Sequence, residues 1–348
     1  MTDVRRPSVR KSILVLYAGG TIGMVPGRQG YTPGNALPDY VAEQTAGKPD
    51  LREHDWHIES MEPLLDSANA RPADWHALAR KLWQWQARAD GAVVLHGTDT
   101  LAYAASLLSF LMLGYGRPVV FTAAQRPLGA EHSDAPANLL AALRCALLDE
   151  LSEVALCFGG QLWRGNRVVK LGPSPEHGFA SPHWPALGSV ARPTPFLDHA
   201  ALLKPRPPCA QPAPRDAAQV GLLRLYPGMP AALVEAAGAA HPQGLVLEMY
   251  GVGSGPGIDR DLCAALARLT ASGTPVVAVS QCPWAAVREL GVYEAGQPFA
   301  QSGVIAGRDL TASAAFAKLH YLAGDAGLHD QAAWTAAIQQ PLAGEMRA

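Results

Sequence analysis

The chain has 348 residues, which is enough for two domains of ordinary size that each bury a core. Its 28 lysines and arginines nearly balance 30 aspartates and glutamates, and a formal charge of −2 creates no field that would attract nucleic acid or an anionic membrane surface. These values favour a small molecule as the binding partner.

Cysteine usage and the lengths of the apolar runs indicate the compartment. The five cysteines are widely spaced and form neither a Cys-x-x-Cys pair nor a metal-ligand pattern, as expected of free thiols in a reducing compartment. The apolar run Ile13–Tyr17, after the basic start Met1–Lys11, is too short for the core of a signal peptide. No segment approaches the roughly 18 apolar residues of a membrane helix. We therefore expect a cytoplasmic protein that uses no metal and contacts no membrane.

In the first half of the chain, short β-branched runs alternate with longer Ala- and Leu-rich stretches at helical spacing. This alternation predicts a mostly parallel sheet covered by helices. The predicted strands are Ile13–Tyr17, Gly91–Leu95, Pro118–Thr122 and Val154–Phe158. The predicted helices are Asp74–Arg88, Leu101–Leu113 and Ala135–Leu148.

Prolines crowd between Gly172 and Pro214 while the periodicity fades, which predicts an extended connector. Beyond it the alternation resumes, with strands at Val220–Leu225, Gly244–Met249 and Val276–Ser280, helices at Met229–Gly238 and Ile258–Ser272, and further helices after Leu310. The expected fold is therefore two wound α/β domains with mostly parallel sheets joined by a Pro-rich linker. We predict an N-terminal catalytic domain over 1–190, the linker over 191–215 and a C-terminal domain over 216–348.

The first predicted strand leads into Gly19-Gly20-Thr21-Ile22-Gly23, which places a hydroxyl just outside the carboxyl end of a buried strand. Ligands of open α/β sheets bind at that edge. The flanking glycines allow a sharp turn and leave room for a substrate to approach Thr21, as a nucleophile requires. For this segment taken alone, a Gly-rich turn without function is an equal alternative.

A second hydroxyl-bearing segment, His96-Gly97-Thr98-Asp99-Thr100, follows the strand Gly91–Leu95 and precedes a predicted helix. Local capping of that helix by Thr98 or Asp99 is the simpler explanation of this motif. Two such loops at the ends of neighbouring parallel strands are harder to explain by capping alone. Helix N–H groups at this place would also bind a carboxylate or an oxyanion.

Both segments resemble the signature segments of the L-asparaginases, Gly-Gly-Thr-Ile-Gly and His-Gly-Thr-Asp-Thr. Similarity to the type I, cytoplasmic branch continues in the same order over about residues 12 to 322. It includes Gln29-Gly30-Tyr31, Leu65-Asp66-Ser67, Arg164-Gly165-Asn166-Arg167 ahead of Lys170, Tyr250-Gly251-Val252-Gly253, Ser280-Gln281-Cys282 and Ala314–Tyr321. One short motif would be weak, whereas this ordered set is a strong match.

The resemblance implies an amidohydrolase that converts L-asparagine to L-aspartate and ammonia through an acyl-threonine and needs no cofactor. Thr21 would attack the side-chain amide carbon, with Tyr31 as its activating partner. A second polar group would consist of Thr98, Asp99 and Lys170, in which the lysine can accept a proton.

The resemblance also implies how substrate is held and how chains assemble. Substrate binding would fall to Asp66, Ser67, Thr98 and Asp99. The serine would donate to the α-carboxylate and an aspartate would face the α-ammonium group. The loop Pro26–Gly34 would close as a lid. A homodimer or homotetramer is implied, in which the Tyr250–Gly257 loop of a neighbouring chain is a candidate to complete the site.

The sequence departs from the family pattern in two places. Ala68-Asn69 stands where many relatives have a polar residue followed by an acid. Glu248 and Val169 stand where some type I relatives have the arginine and threonine of a second, regulatory asparagine site, although Ser280-Gln281-Cys282 matches. We therefore expect regulation by asparagine to be weakened or absent.

Two alternative functions are kept. One is a related amidotransferase subunit that frees ammonia from glutaminyl substrates for tRNA charging; such subunits usually have an additional N-terminal domain, and here about 12 residues precede the first predicted strand. The other is an amino-acid-binding relative that has lost catalysis, which would be expected to lack hydroxyls that Thr21 and Thr98 supply. The series Gly251-x-Gly253-x-Gly255-x-Gly257 does not have dinucleotide-binding spacing, so no nucleotide is expected.

Overall fold

The structure is a computed structural model that describes residues 10–28, 30–34, 36–192, 194–205, 207–212, 216–325 and 327–348. Three features of the sequence prediction therefore lie partly outside the described residues: Gln29 of the Gln29-Gly30-Tyr31 segment, the basic start before Arg10, and the linker residues Pro193, Arg206 and 213–215. Within the described ranges, no helix is both long and apolar enough to cross a membrane.

The first domain is built around one large sheet. Its strands and the short strands beside it are β1 (Ser12–Gly19), β2 (Met24–Gly27), β3 (Gly30–Pro33), β4 (Asp55–Leu65), β5 (Gly91–Leu95), β6 (Val119–Thr122), β7 (Val154–Phe158), β8 (Gln161–Arg164), β9 (Val169–Lys170), β10 (Phe179–Ala180), β11 (Gly188–Ser189) and β12 (Phe196–Leu197). Its helices are α1 (Leu37–Gly47), α2 (Pro72–Trp85), α3 (Leu101–Leu111) and α4 (Ala135–Cys145).

In the large sheet the strand order is β12-β11-β8-β7-β6-β5-β1-β4. Strands β4, β1, β5, β6 and β7 run parallel, whereas β8, β11 and β12 add antiparallel pairs at one edge. Two hairpins, β2–β3 and β9–β10, stand outside this sheet. The parallel strands thus direct all their carboxyl ends to the same edge.

Strand β1 is a continuous apolar run because both of its faces are buried. Leu14 and Leu16 pack with residues of α2 and α3 on one face. Ile13, Val15 and Tyr17 pack with residues of α1 and α4 on the other face. Since β4 and β5 flank it within the sheet, β1 has a fixed place at the centre of the domain.

The second domain is a smaller parallel sheet. Its strands are β13 (Val220–Arg224), β14 (Gly244–Met249), β15 (Val276–Ser280) and β16 (Ile305–Ala306), in that order across the sheet. Its helices are α5 (Ala231–Ala240), α6 (Arg260–Ala271), α7 (Gln297–Gln301), α8 (Ala312–Leu322) and α9 (Gln331–Gln339). The prediction of two α/β domains with mostly parallel sheets is therefore confirmed.

The two domains contact each other through α8 and through buried polar groups. Phe110 of α3 stacks on Tyr321 of α8 with ring centres 5.7 Å apart. The buried guanidinium of Arg167 donates to Asp309 of the second domain at 2.8 Å. Because the second contact pairs opposite charges away from water, losing either partner would leave a buried charge uncompensated.

The region predicted as an extended connector contains regular pairing. Strands β11 and β12 lie in or next to it and extend the first sheet, with Gly188 opposite Leu197. A strand of two residues is too short to show an alternating hydrophobic pattern, so the sequence did not predict these strands. The division into a first domain over 1–190, a linker over 191–215 and a second domain over 216–348 stays a prediction.

Candidate active site

The Thr21 turn and the Thr98 loop touch each other. They leave the carboxyl ends of β1 and β5, which are paired in parallel. Gly20 has a φ of +94°, and a Cβ there would overlap the backbone of Gly97. A Cβ on Gly97 would in turn lie 3.2 Å from the Cα of Gly20. Two glycines are thus needed for two hydroxyl-bearing loops to meet at one edge of the sheet.

Lys170 joins the second hydroxyl to a carboxylate. Its Nζ donates to Thr98 Oγ1 at 2.9 Å and to Asp99 Oδ1 at 2.5 Å. Thr98 is buried, whereas Asp99 is exposed. The three residues that sequence similarity grouped are therefore adjacent in space, although Lys170 is more than 70 positions away in the chain.

Local capping does not explain the Thr98 and Asp99 positions. Helix α3 has Thr100 as its N-cap residue, and no side chain caps its first turn. Thr100 Oγ1 instead donates to the carbonyl of Ser67 at 2.8 Å. The capping alternative is therefore wrong, because Thr98 and Asp99 precede the N-cap position and interact with Lys170.

The Asp66-Ser67 segment is fixed against the same loop. Ser67 is buried, and a Cβ on Gly97 would overlap its hydroxyl group, so the serine lies directly on the Thr98 loop. Asp66 is exposed and accepts from Ala68 N at 3.2 Å, which holds the short turn Ser67–Asn69 in place. The serine and the aspartate of the predicted substrate-binding set thus lie beside the two threonine loops.

Tyr31 lies on a hairpin rather than on an irregular loop. The segment Pro26–Gly34 contains the second half of β2 and all of β3. Gly34 N donates to Gly23 O at 3.0 Å, which ties the hairpin to the Thr21 turn. The Tyr31 side chain is 58% exposed. In this arrangement its ring faces water, and no hydrogen bond joins it to the described Thr21 side chain.

His96 contacts the backbone of the Thr98 loop. It is buried, and its Nδ1 donates to the carbonyl of Gly97 at 2.8 Å, since a carbonyl can only accept. Burial lowers the pKa of His96, so the ring is neutral near pH 7. His96 is therefore a packed residue that is hydrogen-bonded within the loop. Over the described ranges, no cluster of His, Cys, Asp and Glu has the arrangement of a metal site.

Both halves of the chain are similar to models of one protein family. The family model described as "Asparaginase, N-terminal" matches residues 12–201, and the model described as "Glutaminase/Asparaginase C-terminal domain" matches residues 219–333. The chain belongs to the asparaginase family. The resemblance inferred from the ordered motifs is thereby confirmed.

Individual relatives agree with this assignment to the asparaginases. L-asparaginase 1 of Escherichia coli K12 is 37% identical over 324 residues, which cover 90% of this chain and 92% of that protein. The L-asparaginase of Thermococcus kodakarensis is similar in structure with a TM-score of 0.84 at 30% identity, covering 97% of this chain and 99% of that one. L-asparaginase I from Vibrio cholerae gives a TM-score of 0.82 at 33% identity, covering 98% and 100%.

Sequence reasoning missed Gln125 near the site of this asparaginase family member. It follows β6, the next parallel strand after β5, and its backbone N–H donates to Asp134. Its side-chain amide donates to Gly172 O at 3.4 Å, in the turn that connects Lys170 to β10. The signal that could have found Gln125 is its place at the carboxyl end of a third predicted strand.

The second domain uses two side chains of the Ser280-Gln281-Cys282 segment to hold its own loops. Gln281 Nε2 donates to Leu225 O at 2.7 Å and to Glu248 O at 3.0 Å. Ser280 Oγ donates to Gly251 O. Burial raises the pKa of Glu248, and the charge of Arg224 opposes this only in part. Glu248, one of the two predicted departures from the family pattern, is therefore a partly buried carboxyl group.

Proposed function

We propose that this enzyme hydrolyses L-asparagine to L-aspartate and ammonia, with Thr21 as the nucleophile of a double displacement. The observation that carries the proposal is the contact between the Thr21 turn and the Thr98 loop, together with the hydrogen bonds of Lys170 to Thr98 and Asp99. A substrate at this edge would lie between two hydroxyls, one of which adjoins an ammonium–carboxylate pair.

In the first step the Thr21 oxygen forms a bond to the side-chain amide carbon, and the carbon–nitrogen bond breaks. The proton lost by the hydroxyl leaves through a neighbouring basic group and ends on the departing ammonia. In the second step a water oxygen bonds to the same carbon, the ester bond to Thr21 breaks, and the threonine regains its proton. Thr98, which accepts a hydrogen bond from Lys170, would orient that water and relay its proton.

Tyr31 is proposed to activate Thr21 after the β2–β3 hairpin closes. Its exposed ring and the attachment of the hairpin to the Thr21 turn support a lid that is open without substrate. Closure would exclude water and bring the phenol to the nucleophile, so that the site is complete only when substrate is bound.

Charge matching would select amino-acid amides over simple amides. Ser67 is proposed to donate to the α-carboxylate, and Asp66 and Asp99 to face the α-ammonium group. The exposed carboxylate of Asp99 supports this role, since it is open to a ligand from outside while it contacts Lys170. The side chains at Ala68-Asn69 would then affect the preference for asparagine over glutamine.

We also propose a cytoplasmic homodimer or homotetramer. Free thiols support the reducing compartment, since every described cysteine is unpaired. Exposed apolar side chains near the carboxyl ends of β13, β14 and β15 support an interface: Tyr226, Val252, Ile258, Trp284, Val292 and Tyr293. Light scattering at micromolar concentration would measure the assembly, and a fully active monomer would contradict a site shared between chains.

The alternatives are less well supported. The family models match both halves of the chain, and most of the length of an L-asparaginase relative is covered. An inactive binding relative would not be expected to keep Thr21, Tyr31, Thr98, Asp99 and Lys170 together.

The test is ammonia release from asparagine and from glutamine by the purified chain and by Thr21→Ala. We expect the variant to lose on the order of 10³-fold or more in kcat/KM for asparagine while its circular dichroism spectrum is unchanged, because the acyl-enzyme cannot form. Thr335→Ala is the matched control, since that hydroxyl bonds only within α9. Comparable turnover by folded Thr21→Ala would refute the assignment of the nucleophile.

A further inference from the structure

A cleft of about 330 Å³ lies between the two domains, away from the threonine loops. His183 lines it from the first domain. Arg288, Arg308 and Asp309 line it from the second domain, and Arg347 lines it from the C-terminal segment. Three guanidinium groups thus border one small space.

Two carboxylates line the cleft, those of Asp309 and of the last residue, Ala348. Neither of them forms an ion pair with Arg288 or Arg308 among the described residues. Asp309 is held by the buried Arg167 at 2.8 Å. Although burial raises the pKa of Asp309, the hydrogen bond and the charge of Arg167 outweigh it, so the pKa is lowered and the group stays ionised. Arg167 and Asp309 therefore neutralise each other. Arg288 and Arg308 form no ion pair with any carboxylate of the described residues.

Backbone hydrogen bonds fix the places from which these arginines extend. Arg308 N donates to Val287 O at 2.8 Å. Arg308 therefore lies next to Val287, the residue that precedes Arg288. Arg347 N donates to Asp309 Oδ1 at 3.0 Å, and its guanidinium donates to His183 O at 3.2 Å. Since the anchors are already ordered, a ligand would meet a cationic site that needs little rearrangement.

We propose that this cleft binds a small oxyanion with two negative charges, an inorganic phosphate or a short dicarboxylate, between Arg288 and Arg308. The planar guanidinium fork matches the oxygen spacing of both carboxylate and phosphate groups. A dianion would compensate the two arginines that lack partners. Because both domains contribute to the cleft, the bound anion would also stabilise their contact.

The experiment uses isothermal titration calorimetry of the full chain with sodium phosphate and, in a second arm, sodium succinate, each against sodium chloride at equal ionic strength. We expect one saturable site per chain for one of the two anions. The anion that binds more tightly identifies the ligand as a phosphate or a dicarboxylate. The unfolding midpoint should rise by about 2 °C at a tenfold excess over Kd. A general stabilising effect of phosphate as a salt would instead raise the unfolding midpoint without saturating.

Two variants and a control assign the site. Arg308→Asn removes the charge and keeps a residue that tolerates the φ of +57° at this position. Arg288→Gln removes the second guanidinium from an exposed position, so it tests the site even if the first variant unfolds. Both should lose at least about tenfold in affinity, since each removes a charge-assisted contact. Arg80→Gln, on the exposed surface of α2, should bind as the wild type does.

Absence of a saturable signal for both anions would overturn the proposal. So would equal binding by the wild type, Arg308→Asn and Arg288→Gln. Because calorimetry does not use turnover, these outcomes are independent of whether the chain hydrolyses asparagine.

Discussion

At the scale of single residues, the cluster of Lys170, Thr98 and Asp99 adds little to the stability of the fold. The lysine side chain is 24% exposed and the aspartate 58%, and ion pairs with this much contact with water contribute only about 0–1 kcal/mol. The cluster is therefore better explained by the chemistry of the site than by stability. Its hydrogen bonds would orient the Thr98 hydroxyl and control where its proton goes.

The sequence allowed the two threonines to be predicted because each follows a buried strand within a glycine-containing motif. Lys170 and Ser67 could be placed only through family resemblance, since nothing in their spacing indicates that they approach Thr98. Gln125 was missed because it contacts the turn after Lys170 through one side-chain amide. Its place after a predicted strand could have marked it as a candidate, but the contact itself depends on tertiary structure.

At the scale of elements, the parallel strands and their helices were predictable, whereas the edges of the sheet were not. Strands β5, β7, β14 and β15 have the predicted bounds because each is an apolar run buried between neighbours. Strand β4 was missed because its half-exposed edge position admits His, Glu and Pro among its residues. Helix α1 was also missed, since it has few buried positions.

The β2–β3 hairpin gives a prediction for Tyr31. Replacing Tyr31 by Phe should lower kcat for asparagine by on the order of 10²-fold, because the hydroxyl that would activate Thr21 is lost while the ring remains. The free energy of unfolding should stay within about 0.5 kcal/mol of wild type, since the side chain is mostly exposed. Steady-state ammonia kinetics and urea unfolding measure the two effects.

Tyr40→Phe is the matched control, because Tyr40 lies in α1 of the same domain and its hydroxyl takes part in no hydrogen bond of the described residues. If Tyr31→Phe retained the wild-type kcat, the lid would act without a catalytic phenol, and another group would have to activate Thr21.

At the scale of the whole molecule, buried histidines make stability depend on pH. His320 in α8 is buried, and its Nδ1 accepts a hydrogen bond from Ala218 N at 3.2 Å. Burial, assisted by the charges of His76 and His241, lowers the pKa of His320 from 6.5 to about 4. The folded chain therefore disfavours the protonated ring, which could no longer accept from Ala218.

The direction in which stability changes with pH follows from the different pKa of His320 in the folded and unfolded chain. Above pH 6.5 the ring is neutral in both states, and between pH 6.5 and 4 only the unfolded chain takes up this proton. Stability is thus lost as the pH falls through that window, by on the order of 3 kcal/mol for this group. We expect His320→Gln to show a smaller loss in urea unfolding between pH 6.5 and 4 than the wild type.

The exposed His329 gives the control, since His329→Gln should keep the wild-type dependence on pH. An equal loss of stability in the wild type and in His320→Gln would show that protonation of other groups dominates acid unfolding.

The most direct test of the threonine mechanism is to locate the acyl group. Lys170→Met should slow hydrolysis of the ester if Lys170 and Thr98 handle the attacking water, so that the acyl-enzyme accumulates with asparagine. The variant would be quenched in acid during turnover, digested and analysed by mass spectrometry. We expect an aspartyl ester on the peptide that contains Thr21. An ester on Thr98 or on any other residue would contradict it.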